Sequence, residues 1–126
     1  MKLKNLLKVS IVLVAILSYN TSFSQVAKTA KIGDNKAIQK SKDIGEFTFK
    51  VSGLTTDQVN KCASYYPLYF TAAYTEKNEE LSIKMVQSDA QSRRIILRLF
   101  SALDIQHIES EGRTYLCSDF YSNFLQ

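Results

Sequence analysis

The stretch Gly45-Glu-Phe-Thr-Phe-Lys-Val51, followed after Ser52 by Gly53-Leu-Thr-Thr-Asp-Gln-Val59, decides how this chain folds. In the first half Phe47, Phe49 and Val51 alternate with Glu46, Thr48 and Lys50, the period of two that marks a strand with one wet face. Gly53 interrupts the alternation. Thr55, with Gln58 three residues later, then makes a capping box, in which a side-chain oxygen accepts an N–H that the helix itself leaves unpaired. Val59, Cys62, Ala63 and Tyr66 recur at helical spacing on one face, and Pro67 stops the run. A strand, a glycine turn and a short amphipathic helix are expected from Glu46 to Tyr66.

The pattern continues outward in the same terms. Leu68 to Thr75 is rich in aromatic and β-forming residues, and Leu81, Ile83 and Met85 alternate with Ser82, Lys84 and Val86. The polar segment Glu76-Lys-Asn-Glu-Glu80 between them has hairpin length, so two antiparallel strands are expected. Ser88 with Gln91 repeats the capping box. Ile95, Ile96, Leu99, Phe100 and Leu103 then trace an apolar stripe opposite Arg93, Arg94 and Arg98, which predicts a second helix. Ile105 to Glu109 reads as a fourth strand. Gly112 offers a turn into a further strand, Arg113-Thr-Tyr-Leu-Cys117, and Ser118 is placed to cap a short C-terminal helix carrying Phe120, Tyr121, Phe124 and Leu125. The expected fold is α+β: a ferredoxin-like βαββαβ sandwich, with an antiparallel sheet and two helices on one face, extended by a C-terminal strand and short helix.

The segment Gly53, Leu54, Thr55, Thr56, Asp57, Gln58, Val59 resembles the metal loop of heavy-metal-associated (HMA) domains with the metal ligands removed. That family carries Gly-Met-x-Cys-x-x-Cys at a strand-to-helix turn, where two thiolates grip a soft cation. Here the cysteine positions fall on Thr56 and Val59 and the methionine position on Leu54. The resemblance covers roughly residues 46–109 and implies the scaffold; the loop, lacking thiolates, is expected to be degenerate. No cofactor is implied.

The N-terminus has Lys2, Lys4 and Lys8 ahead of the apolar run Val9 to Leu17, then small and polar residues through Ser24. This is the layout of a secretory signal peptide, with Ser22 and Ser24 at the positions read by the peptidase. The apolar run is shorter than the about 20 residues that a spanning helix needs. Residues 1–24 are therefore expected as a cleaved signal, which implies the periplasm or secretion beyond it and no membrane span afterwards. Cleavage also resets the charge, because three of the sixteen basic residues leave with the signal and thirteen remain against twelve acids. Five lysines fall within residues 25–42, expected as a mobile linker, whereas residues 43–126, the expected HMA-like domain, hold eight basic and eleven acidic residues. The basic excess thus lies off the domain, which argues against nucleic acid as a partner.

Candidate chemistry is sparse. Cys62 and Cys117 are an even pair in an exported chain, but the expected topology puts them on opposite sides of the sheet, and a disulfide needs Cα atoms within about 7 Å. His107 is the only histidine, grouped by strand alternation with Ile105 and Glu109, and three or four convergent ligands would be needed for a metal. Asp57 and Glu46 lie near the Gly53 loop, yet a carboxylate in a helix's first turn complements the dipole without catalysis. Neither a nucleophile elbow nor a Gly-rich phosphate loop occurs. Tyr65, Tyr66, Tyr69 and Tyr74 crowd around the end of the first helix, where rings serve either a core lacking Trp or an interface.

The expected function is that of an exported, non-catalytic interaction module with an unknown protein partner in the cell envelope. One alternative keeps heavy-metal binding through Cys62, Cys117 or His107, shared between chains; another is a small envelope enzyme. The mature chain is expected to begin at Gln25. Intact-mass measurement of envelope material checks this, and a mass retaining Met1 to Ser24 overturns it.

Overall fold

Alternating burial of Phe47 and Phe49 against exposed Glu46, Thr48 and Lys50 forms the strand expected there, and helices cover its apolar face. The computed structural model describes residues 27–126, so the expected signal peptide and its cleavage point lie outside the described residues. In chain order the elements are β1 (Lys28–Lys31), α1 (Asn35–Ile44), β2 (Glu46–Lys50), α2 (Thr56–Ala63), β3 (Phe70–Thr75) and β4 (Glu80–Met85). They continue with α3 (Ala90–Ala102), β5 (Ile105–Ser110), β6 (Arg113–Leu116) and α4 (Cys117–Phe120), and Tyr121–Leu125 closes the chain as a π-helical turn. The protein is α+β, with one six-stranded sheet in the order β3-β4-β2-β1-β5-β6.

Two expectations are corrected by β1. Residues 25–42 were expected as a mobile arm, yet Lys28–Lys31 is a central strand and α1 follows it directly. β1 runs parallel to β5 and antiparallel to β2, so the sheet is mixed rather than wholly antiparallel, and β5 does not lie beside β2. The physical reason is that backbone groups, which composition does not reveal, hold the strand. Lys28 N–H donates to the Asp104 carbonyl and Ile32 N–H to that of Glu109, both at 3.0 Å. Only Ala30 of the strand is wholly buried, while Lys31 extends into solvent. In α1, Asp34 caps the start by accepting from Ala37 N–H at 2.9 Å, Ile38 alone is fully buried, and Gly45 at φ 75° closes the end. Glycine suits that left-handed cap because it lacks a Cβ.

The pairing of β1 with β5 slips between Lys28 and Thr29, whose partners are Ile105 and His107. Gln106 is thereby bulged out, and Ile105, Ile108 and Ser110 all turn inward. The expected grouping of His107 with Ile105 fails for this reason.

α3 packs across the sheet through Ile96, Leu99 and Phe100, with its C-cap Leu103, all wholly buried, and Phe100 lies edge-on to Phe49 at 5.0 Å between ring centroids. Its N-cap is Asp89, which accepts from Ser92 N–H at 2.7 Å; Ser88, expected in that role, donates instead to the Lys42 carbonyl. Arg93, expected on the solvent side, is buried. Its Nε donates to the Leu125 carbonyl at 2.6 Å and its Nη1 to the Ser88 carbonyl at 2.8 Å, so fixed carbonyl dipoles replace the water that the charge gives up. Ser118 likewise does not cap α4, which begins one residue earlier, at Cys117. No helix among the described residues is long and apolar enough to cross a membrane.

Ala30→Asp is expected to destabilise the protein by about 3 kcal/mol or more, since it puts a carboxylate without a partner between β2 and β5. Lys36→Ala, on an exposed turn of α1, is expected to change little. Urea melts check both; equal midpoints for the two variants would return residues 28–42 to a loose arm.

Candidate functional site

The Gly53 loop leads from β2 into α2, with Gly53 at φ 83°, and the positions that carry ligands in HMA loops have structural tasks here. Leu54 is buried. Thr55 caps α2, its Oγ1 accepting from Gln58 N–H at 3.1 Å, as the capping box anticipates. Thr56 faces β3: its Oγ1 donates to the Tyr74 carbonyl at 3.2 Å, and its N–H donates to Glu76 Oε1 at 2.9 Å. Val59 is wholly buried. The two positions that hold thiolates in HMA loops are therefore a hydroxyl tied to a neighbouring strand and an isopropyl group in the core. A cation reaching the loop would also meet a lysine, because Lys28 Cε lies 3.5 Å from where a Cβ on Gly53 would stand.

Asp57 and Glu46 do not form an acid–base pair. Glu46 opens β2 and Asp57 follows its far end, so the length of the strand separates them. Cys62 and Cys117 are both free and half-buried, the first on α2 beside edge strand β3, the second just after β6 at the other edge. Cys117 Sγ lies 3.5 Å from the Ile105 carbonyl, and burial pushes its thiol up to about 11. His107 is half-buried opposite Leu116. Among the described residues no three His, Cys, Asp or Glu side chains gather where they could hold a metal ion.

Searches of protein-family models, curated proteins and solved structures found no match to this chain. Its chemistry has to be read from its own side chains.

The four tyrosines separate. Tyr74 is only 5% exposed, and its hydroxyl donates to the Val51 carbonyl at 2.5 Å; burial chiefly, with the charge of Glu79 behind it, raises its pKa. It belongs to the core and leaves the interface set, because its ring faces inward from β3 with Phe70. Tyr66 is half-buried against Phe70, with ring centroids 5.8 Å apart. Tyr65 and Tyr69 remain on the surface at 71% and 39% exposure.

Those two have apolar company that the sequence reading passed over. Leu68 is 81% exposed, Val86 65% and Ile44 58%. Val86 N–H donates to the Tyr69 carbonyl and Met85 N–H to that of Gly45, so the start of β2, the start of β3 and the end of β4 meet at one end of the sheet. Beside this end an open groove of about 720 Å³ runs between Tyr69 and α3, lined by Gln91, Arg94, Ile95, Leu97, Arg98 and Ser101. One signal was available in the sequence. Leu68 and Val86 each stand just outside a strand, beyond the alternation that buries the others.

The raised pKa of Cys117 carries a sign. The fold favours the neutral thiol, so its contribution is whole below about pH 9 and fades as the pH rises through about 11. The stability difference between wild type and Cys117→Ala is expected to shrink over that interval in reducing urea melts. A difference that grew would mean that the fold favours the thiolate.

Proposed function

We propose that this chain is exported and acts as a non-catalytic interaction module, on a ferredoxin-like scaffold of HMA type whose metal loop has become structural. The scaffold reading rests on the βαββαβ succession from β2 to β5, into which β1 is inserted as an extra central strand. The export reading rests on the basic and apolar N-terminus, which precedes the described residues.

One observation carries the functional reading. The loop's ligand positions are consumed by the fold, Thr56 on the Tyr74 carbonyl and Val59 in the core, while five large apolar side chains stand exposed at the opposite end of β2. Stability accounts for the first arrangement. It does not account for the second, because exposed apolar area gives up free energy that burial would recover. Contact with another protein is the use that recovers it, and exposed tyrosines suit such a contact, with apolar rings and polar tips.

The test joins a positive and a negative measurement. A photo-crosslinking residue at Tyr65 is expected to give a discrete protein adduct in intact envelopes, and the same residue at Thr48, on the open face of the sheet, is expected to give none. Titration of the purified mature protein with Cu(I) or Zn(II) is expected to show no tight stoichiometric site. Tight binding of either metal would overturn the degenerate-loop reading and favour ligands shared between chains; a Tyr65 probe without an adduct would remove the interaction reading.

A further inference from the structure

Three arginines stand on α3, and no acidic residue lies anywhere in its sequence, Ala90–Ala102. Arg93 is accounted for by its carbonyl partners. Arg94 and Arg98 are not. They are exposed four residues apart on one face, a spacing at which like charges repel. Among the described residues the one ion pair is that of Lys31 with Glu109, elsewhere on the sheet, so neither guanidinium has a carboxylate partner among them.

Their position gives the charges a use. Gln91, Arg94, Arg98 and Ser101 form the polar stripe of α3 along the groove, a run of roughly 15 Å at 1.5 Å per residue. Half-buried Ile95 and Leu97 lie between them, and Tyr69 lines the groove together with them. Leu68 and Val86 adjoin Tyr69 through the chain and through its carbonyl. The groove is therefore open, cationic along its α3 side and bordered by Tyr69, with exposed Leu68 next to Tyr69 in the chain. Arginine's planar fork meets a carboxylate with two parallel hydrogen bonds, more specifically than lysine does.

We infer that this groove receives an acidic peptide segment of a partner protein, whose carboxylates meet Arg94 and Arg98 while an aliphatic or aromatic side chain packs on Tyr69 and on Leu68 beside it. The length suits such a segment, since about 5 extended residues span 15 Å. The inference rests on the interaction-module reading and names its site and the class of its partner.

A displayed random library of peptides about 12 residues long, which exceeds the span of the groove, selected against the mature protein, is the test. Enriched peptides are expected to carry at least two carboxylates and one large apolar residue, and to bind more weakly as salt rises. Arg94→Gln with Arg98→Gln is expected to weaken the best peptide by about tenfold or more, and Leu68→Asp similarly, whereas Lys84→Glu on the open sheet face leaves it unchanged. All four substituted side chains are exposed, and circular-dichroism melts confirm that the variants fold. Enrichment of neutral or basic peptides, absence of any enrichment, or indifference to the arginine pair overturns the inference. So does binding to phosphatidylglycerol vesicles that the arginine pair controls, or a concentration-dependent dimer abolished by Leu68→Asp, since these assign the surface to a membrane or to a second copy. If the Tyr65 crosslink persists while the library fails, the interaction module stands and only its acidic partner is lost.

Discussion

Backbone hydrogen bonding by four residues, Lys28–Lys31, joins this sheet into one piece. On one side of β1 stand β3, β4 and β2; on the other stand β5 and β6. Contact with β2 is slight, a single register pair between Lys31 and Lys50, whereas four residues of β1 pair with β5. The strand brings almost no apolar side chain of its own. Its contribution is a row of N–H and C=O groups that would otherwise face each other unpaired across the middle of the protein. Ser110 strengthens the junction at its upper end, its hydroxyl donating to the Gly33 carbonyl at 2.7 Å.

Around that junction the apolar layer is continuous. Phe47 and Phe49 of β2, Leu81 and Ile83 of β4 and Ile105 and Ile108 of β5 face Ile96, Leu99 and Phe100 of α3 and Phe120 and Leu125 near the C-terminus. The last turn is held by polar means as well. Arg93 reaches the Leu125 carbonyl, Tyr121 Oη donates to that of Ala90 at 3.0 Å, and Lys42 Nζ donates to that of Gln126 at 2.9 Å. No buried side-chain nitrogen or oxygen among the described residues lacks a partner. The exposed apolar end is consequently not a symptom of a poorly made fold, because the buried side-chain polar atoms of the described residues are all paired.

Legibility in the sequence followed burial by side chain. β2, β3, β4, α2 and α3 carry strong periodicities, so Phe47, Phe49, Leu81, Ile83, Leu99 and Phe100 announce their own elements. β1 and α1 bury little more than Ala30 and Ile38, and five lysines in the same stretch resemble a solvated arm. What holds β1 is main-chain hydrogen bonding to residues nearly eighty positions away, for which residue type has no signature. The bulge at Gln106 was hidden for a related reason, since it answers a register slip in β1. At the candidate site, the cap at Thr55 and the burial of Val59 follow from local pattern. The exposed end depends on which residues stand beyond the last pair of a strand, and the groove on how α3 lies against Tyr69; both are tertiary facts.

The place of β1 also sets an order of events. Its hydrogen bonds to β5, and that of the Ser110 hydroxyl to Gly33 just beyond it, a separation of 77, require the ends of a long loop to meet before the central ladder closes. Contacts of that range slow folding relative to local ones. During synthesis the first strand leaves the ribosome without its partner, and no shorter portion of the chain contains the whole junction. The ladder between β1 and β5 stays open until β5 has been made, however early the β2–β4 and β3–β4 pairs close.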